Sequence, residues 1–175
     1  KGMFVPIAVN LSPVTLHEQD FANQVQRLLQ KWDVPSKGLT LEITESAIVS
    51  DVARATETVN LLHDMGLKIS IDDFGTGSTS LSYIRRLPVS EIKVDKSFVL
   101  NMRQVNDDAV IVRSIVELGH NLGLAVVAEG IEDQETWDLL SDLRCNQAQG
   151  YFISKPVLAD DFYDWVQQSK YSGDM

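Results

Sequence analysis

Two adjacent aspartates, Asp72 and Asp73, follow the β-branched run KISI and precede the stretch FGTG. Side by side, their carboxylates repel each other, whereas a cation placed between them would turn the repulsion into attraction. Such a pair can bridge two divalent cations, which then hold the attacking and leaving oxygens of a phosphoester. Taken alone, the pair is also compatible with an acidic turn. The residues at the ends of the other strands are therefore needed to distinguish a metal site from an acidic turn.

Polar residues recur at the ends of the other predicted strands. Short β-branched runs alternate with amphipathic helical segments, as in parallel βα units. The predicted strands are 5–9, 39–43, 67–71, 91–94, 125–128 and 150–153. Every interval between strands is long enough for one helix and its loops. In chain order, the strand ends carry Asn10, Glu42, Asp72 with Asp73, Lys93, Glu129 and, just before the last strand, Gln149.

This series of strand ends favours one of two architectures. Near-continuous apolar runs such as LKISI and LAVVA predict parallel strands covered by helices, either in an open doubly wound sheet or in a TIM barrel. A barrel takes its site from nearly all strand ends, whereas an open sheet uses mainly its switch point. The sequence therefore predicts an α/β, TIM-barrel-like fold of about six βα units. Because a closed barrel has eight, roughly two units are expected to precede residue 1.

Three apolar stripes at helical spacing are interpreted as core. Each stripe predicts one amphipathic helix. The second and third helices are expected to end at Gly66 and Gly123, because glycine readily adopts the left-handed conformation of a helix C-terminus. The stripes comprise Phe21, Val25, Leu28, Leu29 and Trp32; Val52, Ala55, Val59 and Leu62; and Ile111, Ile115, Leu118 and Leu122.

The polar residues at the strand ends, called the rim from here on, predict a site with hard oxygen ligands. Amide and carboxylate oxygens suit Mg²⁺ or Mn²⁺ better than zinc. His17, His63 and His120 lie in or beside helices and are interpreted as surface or capping residues. Lys93 could orient a nucleophilic water or stabilise a phosphorane, although a surface lysine is an equal alternative. Glu129 is placed where a general base or a further ligand would lie.

Composition, net charge and cysteine content limit the classes of function that the chain can have. The 175 residues are 44% apolar and 23% charged, which suits one soluble domain with a substantial core. The net charge of −10 argues against gripping a nucleic acid backbone, so no DNA binding is expected. Cys145 is the only cysteine and can form no internal disulfide. A reducing, cytoplasmic location is therefore expected, which leaves open a membrane anchor elsewhere in the parent protein.

The motifs VNLS, LEITES, DDFGTGSTSLSYI, LPVSEIKVDKSFV, VVAEGIED and QGYFISKP resemble, in order and spacing, those of the EAL-domain family of cyclic di-GMP phosphodiesterases. The resemblance runs from about residue 6 to 157, and residues 1–175 are interpreted as the C-terminal portion of such a domain. It implies a modified TIM barrel that cleaves one phosphodiester bond of cyclic di-GMP with two Mg²⁺ or Mn²⁺ ions. The product would be linear pGpG.

The resemblance assigns a role to every rim residue. Lys93 would orient the attacking water, Glu129 would act as base or metal ligand, and Gln149 would make a supporting contact. The implied metal ligands are Asn10, Glu42, Asp72 and Asp73.

The resemblance also implies roles beyond the rim. Glu45 matches the family glutamate that anchors the loop after Asp73, which links the metal site to a homodimer interface; a charge at a helix N-terminus is the alternative. Glu132 is either a supporting carboxylate or an exposed first-turn glutamate. Ser78 departs from the tyrosine usual at its position. The loop residues are Phe74, Gly75, Thr76, Gly77 and Ser78.

Two family residues, the glutamate of the Glu-Ala-Leu motif and a phosphate-contacting arginine, belong to a strand that would precede this chain. The first functional prediction is therefore a cyclic di-GMP phosphodiesterase whose expected partners are a second copy and fused upstream diguanylate cyclase or sensory domains. A catalytically inactive receptor or dimerising scaffold is the second. An unrelated metal-dependent barrel lyase or isomerase fits the rim but not the ordered motifs. The isolated chain is expected to expose sheet edges and therefore to associate with another copy, to recruit a missing segment or to behave poorly in solution.

Overall fold

The computed structural model describes residues 4–77 and 81–169, so that Ser78, one of the predicted loop residues, lies outside the described ranges. Within these ranges the chain builds a parallel sheet of six strands. They are β1 (Ile7–Leu11), β2 (Leu39–Thr44), β3 (Lys68–Phe74), β4 (Glu91–Val94), β5 (Ala125–Glu129) and β6 (Gln147–Gln149).

The order of the strands decides between the two predicted architectures. From β1 to β6 the strands lie side by side in chain order, and every neighbouring pair is parallel. A doubly wound sheet reverses its strand order at the switch point, whereas a TIM barrel keeps the strands in sequence. The described strands show no reversal and form a curled half-barrel. The TIM-barrel-like prediction is confirmed.

Helices alternate with these strands. In the described ranges they are α1 (Pro13–Leu16), α2 (Phe21–Lys31), α3 (Glu45–Ser50), α4 (Val52–Asp64), α5 (Leu81–Ile84), α6 (Lys96–Asn101), α7 (Asn106–Leu122), α8 (Gln134–Asp142) and α9 (Ala159–Gln168), with a 3-10 turn at Ser36–Gly38. Gly66 follows the end of α4 and Gly123 caps α7, both with positive φ, as predicted. None of these helices is long and apolar enough to cross a membrane.

The two faces of the sheet differ in chemistry. The outer face packs against α3, α4 and α7, and burying one of its large aliphatic side chains contributes about 1.5–3 kcal/mol. Successive strand residues face opposite sides, so that Glu42, Ser70 and Lys93 lie on the inner face. The polar side chains of the inner face are therefore supported by a rigid layer of apolar side chains on the outer face. Its residues, each no more than 1% exposed, include Ile43, Ile69, Ile71, Ile92, Val94 and Val126.

One predicted apolar stripe is only partly core. On α2, Ala22 and Val25 are buried, but Leu28 is 55% exposed and Trp32 is 67% exposed. Leu28 precedes the half-buried Leu29 by one residue, about 100° around the helix, and faces solvent. Trp32 follows the last residue of α2 as its C-terminal cap. The stripe was therefore predicted too wide and too long.

The predicted last strand is wrong. The strand that pairs with β5 is Gln147–Gln149, while residues 150–153 form a turn in which Ile153 N donates to Gly150 O at 3.0 Å. The aromatic and β-branched run YFI has a strand-like composition, but Phe152 N donates to Ile131 O in the preceding loop. At the other edge, the predicted strand 5–9 is shifted to Ile7–Leu11, which places Asn10 inside β1.

Cys145 is predicted to react slowly in the folded protein. Burial raises the pKa of its thiol, and the single S–H can donate to Val126 O, 3.3 Å from Sγ, or to Gln147 O, 3.4 Å from Sγ. Since the thiolate is the nucleophile, iodoacetamide at pH 8 should label the folded chain more slowly than the urea-unfolded chain. Mass spectrometry over time measures both rates. Equal rates would contradict the prediction.

Candidate active site

The carboxyl ends of the parallel strands bring the predicted rim residues to one edge of the sheet. The register pairs Asn10 of β1 with Glu42 of β2, and Glu129 of β5 with Gln149 of β6. Asp72 of β3 pairs with Thr44, two residues beyond Glu42. Because side chains at paired positions share a face of the sheet, these groups converge on the inner side of the half-barrel.

Lys93 lies at the centre of this group. Its Nζ is 2.6 Å from Glu129 Oε1, 2.9 Å from Glu42 Oε2 and 3.2 Å from Asp72 Oδ1, and its side chain is 4% exposed. An ammonium group has three donors, and the three carboxylates can accept all of them. The structure thus excludes the alternative of a surface lysine.

The charge of Lys93 is fixed by these neighbours. Burial acts to lower its pKa, but the hydrogen bonds to Glu129 and Glu42 outweigh burial and raise the pKa above its ordinary value. Lys93 therefore stays protonated at any physiological pH. It can orient oxygen atoms and stabilise developing negative charge, but it cannot serve as a general base.

A β-bulge explains why adjacent aspartates can serve the same site. From Ile71 to Phe74 β3 advances three residues, while its partner β4 advances two. Within the bulge, Asp73 has a φ of 54°, and its N–H donates to Asp72 Oδ1 at 3.1 Å. Neighbouring residues of a regular strand would face opposite sides of the sheet, whereas a bulge re-aims a side chain. The bulge thus brings both carboxylates to the rim.

Three carboxylates are close enough together to hold a metal ion. Ligand oxygens of Asp72, Asp73 and Glu129 all lie within 4.8 Å of one another. Burial, followed by the charge of Asp72, raises the pKa of Asp73, and burial likewise raises that of Glu129. Both shifts disfavour the ionised form relative to an exposed carboxylate, while the charge of Lys93 acts in the opposite direction. The donor set consists of hard oxygens, which fits Mg²⁺, Mn²⁺ or Ca²⁺.

Asn10 adds an amide to the same cluster. Its side-chain nitrogen can donate to Asp72 Oδ2 at 3.2 Å and to Glu42 Oε2 at 3.3 Å. This nitrogen-inward amide is the stable form beside bare carboxylates. The oxygen-inward form is stable when a cation lies between the groups. Asn10 can therefore serve either state of the site.

A family model described as the EAL domain matches residues 2–156 of the chain. The chain belongs to the EAL domain family. It is 38% identical to the oxygen sensor protein DosP of Escherichia coli K12 over 160 residues, which make up 91% of this chain and 20% of DosP. It is 40% identical over 154 residues, 88% of this chain, to the bifunctional diguanylate cyclase/cyclic di-GMP phosphodiesterase MucR of Pseudomonas aeruginosa, of which it covers 22%.

Solved EAL domains share its fold. The MucR phosphodiesterase in complex with cyclic di-GMP aligns with a TM-score of 0.87 and 39% identity, covering 90% of this chain and 64% of that one. The protein BlrP1 of Klebsiella pneumoniae, in a complex with manganese and cyclic di-GMP, aligns with a TM-score of 0.80 and 31% identity, covering 86% and 39%. A calcium complex of BlrP1 aligns similarly.

Glu45 holds the loop that leaves the aspartate pair of this EAL domain. It is the first residue of α3, is 5% exposed, and its Oε2 accepts from Gly75 N at 3.2 Å. A Cβ added at Gly77 would lie 2.9 Å from Glu45 Cδ, so the loop passes directly over the carboxylate. Glu45 is thus both a helix N-terminal charge and a loop contact.

The first part of that loop is tied back to the strand. Phe74 is 6% exposed and packs into the core. Thr76 Oγ1 donates to Asp73 O at 2.9 Å, and Gly75 adopts a φ of 99°, which favours glycine. Movement of this segment would therefore be transmitted directly to Asp73.

Other predicted residues of the EAL domain lie at the edge of the site. Gln149 is exposed at the end of β6, opposite Glu129. Glu132 is exposed and lines a cavity that also contains Glu129 and Gln149. Asp95 was missed by the sequence reasoning: it follows β4 directly, its Oδ1 accepts from Ser97 N at 2.9 Å, and it interacts with Asp73. Asp95 is the first residue after β4, so a search for polar residues that included the position after each strand would have identified it.

Proposed function

We propose that the protein is a cyclic di-GMP phosphodiesterase that hydrolyses its substrate to linear pGpG with Mg²⁺ or Mn²⁺. One observation carries the proposal: a buried, permanently charged Lys93 inside a carboxylate cluster that can hold metal, at the rim of an EAL-type half-barrel. The curated relatives described above are longer, and the chain spans 20% and 22% of their lengths. The activity therefore belongs to the intact protein in which these residues act.

The chemistry expected of the site can be written residue by residue. Divalent metal held by Asn10, Glu42, Asp72 and Asp73 would neutralise phosphate charge and activate water. The Lys93 ammonium would stabilise the negative charge that develops as water adds to phosphorus. The bond from phosphorus to the ribose 3′-oxygen then breaks. That oxygen takes up a proton, and the product is the linear dinucleotide.

Glu129 is suited to accept the proton of the attacking water. Burial raises its pKa towards the operating pH, which makes it a better base than an ordinary carboxylate. Its 2.6 Å contact with Lys93 fixes the carboxylate in place. Removal of the carboxylate charge would therefore weaken both the base and the orientation of the lysine.

The proposal also covers the partners of the protein and its location in the cell. A homodimer is proposed because the loop after Asp73, held by Glu45, offers a physical link between the site and a neighbouring surface. Fused sensory or diguanylate cyclase domains fit the greater length of the relatives. A cytoplasmic location fits the single cysteine.

The deciding experiment measures cyclic di-GMP and pGpG by chromatography after incubation with the intact protein. Turnover should require Mg²⁺ or Mn²⁺, stop when a chelator is added, and be lost in Asp72→Asn and Glu129→Gln. Glu117→Gln, a change on the exposed face of α7, is the control that should stay active. Hydrolysis unaffected by both rim substitutions would overturn the two-metal assignment. Tight nucleotide binding without turnover would instead identify a receptor.

A further inference from the structure

Ser70 places a buried hydroxyl directly below the rim, two residues before Asp72 in β3. Its side chain is 0% exposed, and among the described residues its Oγ has no hydrogen-bond partner. Almost none of the Oγ surface is open to water, so hydration from solvent does not satisfy it. A buried polar group without a partner lowers stability. The hydroxyl therefore calls for an explanation outside the stability of the metal-free fold.

The strand register places this hydroxyl next to Glu42. Ser70 pairs with Glu42 of β2 on one side and with Glu91 of β4 on the other. Side chains at paired positions share a face of the sheet, and neighbouring strands lie about 4.8 Å apart. A change of rotamer at Ser70 or at Glu42 can therefore bring the hydroxyl within hydrogen-bond distance of the carboxylate.

The small size of Ser70 explains only part of its presence. Lys93 lies on β4, and its Nζ reaches Glu42 Oε2 on β2 at 2.9 Å, so its side chain crosses the inner face of β3. A small residue at position 70 leaves room for this crossing. Alanine would leave the same room without burying a polar atom. The hydroxyl therefore needs a role of its own.

The two orientations of Asn10 suggest that role. In the nitrogen-inward form, Glu42 Oε2 accepts from Asn10 at 3.3 Å as well as from Lys93. In the oxygen-inward form, which a cation between the groups stabilises, Asn10 no longer donates to Glu42. Resting on the proposed function, we propose that Ser70 is a positioning residue whose hydroxyl then donates to Glu42 in place of Asn10. It holds the carboxylate in the orientation that binds metal.

Burial favours Glu42 over Glu91 as the acceptor. Glu91, at the start of β4, is half-buried, so water can hydrate its carboxylate. Glu42 is only 7% exposed and depends on protein groups for its donors. Carboxylates that bind metal are themselves held by hydrogen bonds, and loss of such a support weakens metal binding. Ser70 has the position and the donor for this task.

The test measures how Ser70→Ala changes the response of the intact protein to Mn²⁺. In chelator, Tm should rise by about 2–4 °C, because the substitution removes a buried hydroxyl that has no partner. The Kd for Mn²⁺, obtained from the rise of Tm during titration, should nevertheless increase by about 10–100-fold. Hydrolysis of cyclic di-GMP should need correspondingly more Mn²⁺, with kcat at saturating metal close to the wild-type value. A residue that only leaves room for Lys93 would not produce these opposite changes.

Matched controls separate the role of Ser70 from a general loss of hydroxyl groups. Thr40→Val removes a buried hydroxyl from β2, two residues before Glu42, and Ser114→Ala removes an exposed one from α7. Both variants should keep the wild-type Kd for Mn²⁺. In a Glu91→Gln background, Ser70→Ala should still raise that Kd, because the proposed acceptor is Glu42.

The outcomes distinguish this inference from the proposed function. If the wild type responds to Mn²⁺ and Ser70→Ala keeps its Kd, the role of Ser70 is overturned and the proposed function stands. A lower Tm of Ser70→Ala in chelator would show that the hydroxyl already has a partner, and would also overturn it. So would loss of the effect in the Glu91→Gln background. If the wild type neither responds to metal nor hydrolyses cyclic di-GMP, both fail.

Discussion

Replacement of Lys93 by methionine is expected to lower cyclic di-GMP hydrolysis by at least about 10²–10³-fold, the usual cost of removing a group that stabilises transition-state charge. Methionine has nearly the same length but neither charge nor donors. Glu42, Asp72 and Glu129 would lose the cation that each contacts within 3.2 Å. Without metal, the folded intact protein should lose about 3–5 kcal/mol of unfolding free energy, as for other broken buried ion pairs.

Two measurements separate the structural and catalytic roles of Lys93. Urea unfolding with and without Mn²⁺ should show that metal recovers much of the lost stability, since a divalent cation can replace the missing charge. Activity should stay low, because the metal cannot restore the fixed ammonium. Lys68→Met, which changes an exposed lysine of β3 on the same face of the sheet, should affect neither measurement strongly. A stable and active Lys93→Met variant would refute the assigned role.

The sequence predicted which polar residues share one rim, because parallel strands end at one edge of the sheet. Asn10, Glu42, Lys93 and Glu129 each lie within one residue of the end of a predicted strand, so the fold class was enough to place them on one rim. The fold itself followed from the alternation of strand and helix patterns. Neither inference needed the position of any side chain.

The sequence could not predict features that depend on tertiary pairing. The bulge at Asp72 and Asp73 arises from the register between β3 and β4, which local composition does not encode. The last strand was misplaced because YFI has strand-like residues, whereas the true strand, Gln147–Gln149, consists of polar residues and one alanine selected by their position beside β5. The exposure of Leu28 likewise depends on which neighbours α2 has.

Asp73→Asn is expected to stabilise the metal-free fold while removing its response to metal. Asparagine tolerates the left-handed backbone of this position, so the bulge should survive. The substitution removes a partly buried carboxylate and its repulsion with Asp72, which should add on the order of 1 kcal/mol to the unfolding free energy. It also removes one member of the carboxylate cluster.

The pH dependence of this gain follows from the raised pKa of Asp73, which burial and then Asp72 produce. Ionised Asp73 costs folding free energy above its folded pKa, and the cost disappears once pH falls below the ordinary value of 3.8. The gain of Asp73→Asn should therefore be present at pH 7 in chelator and vanish in acid. A gain of equal size at both pH values would contradict the repulsion argument.

A metal titration tests whether Asp73→Asn also removes the stabilisation of the fold by metal. At 100 times its dissociation constant, Mn²⁺ should stabilise the wild type by about 2.7 kcal/mol, and the shift in Tm should be much smaller in Asp73→Asn. Asp33→Asn is the matched control, because Asp33 is also left-handed, with a φ of 51°, but is exposed beyond the end of α2. It should leave the metal response intact. If Asp73→Asn kept the full shift, Asp73 would not be a metal ligand, and the repulsion between the two aspartates would need another explanation.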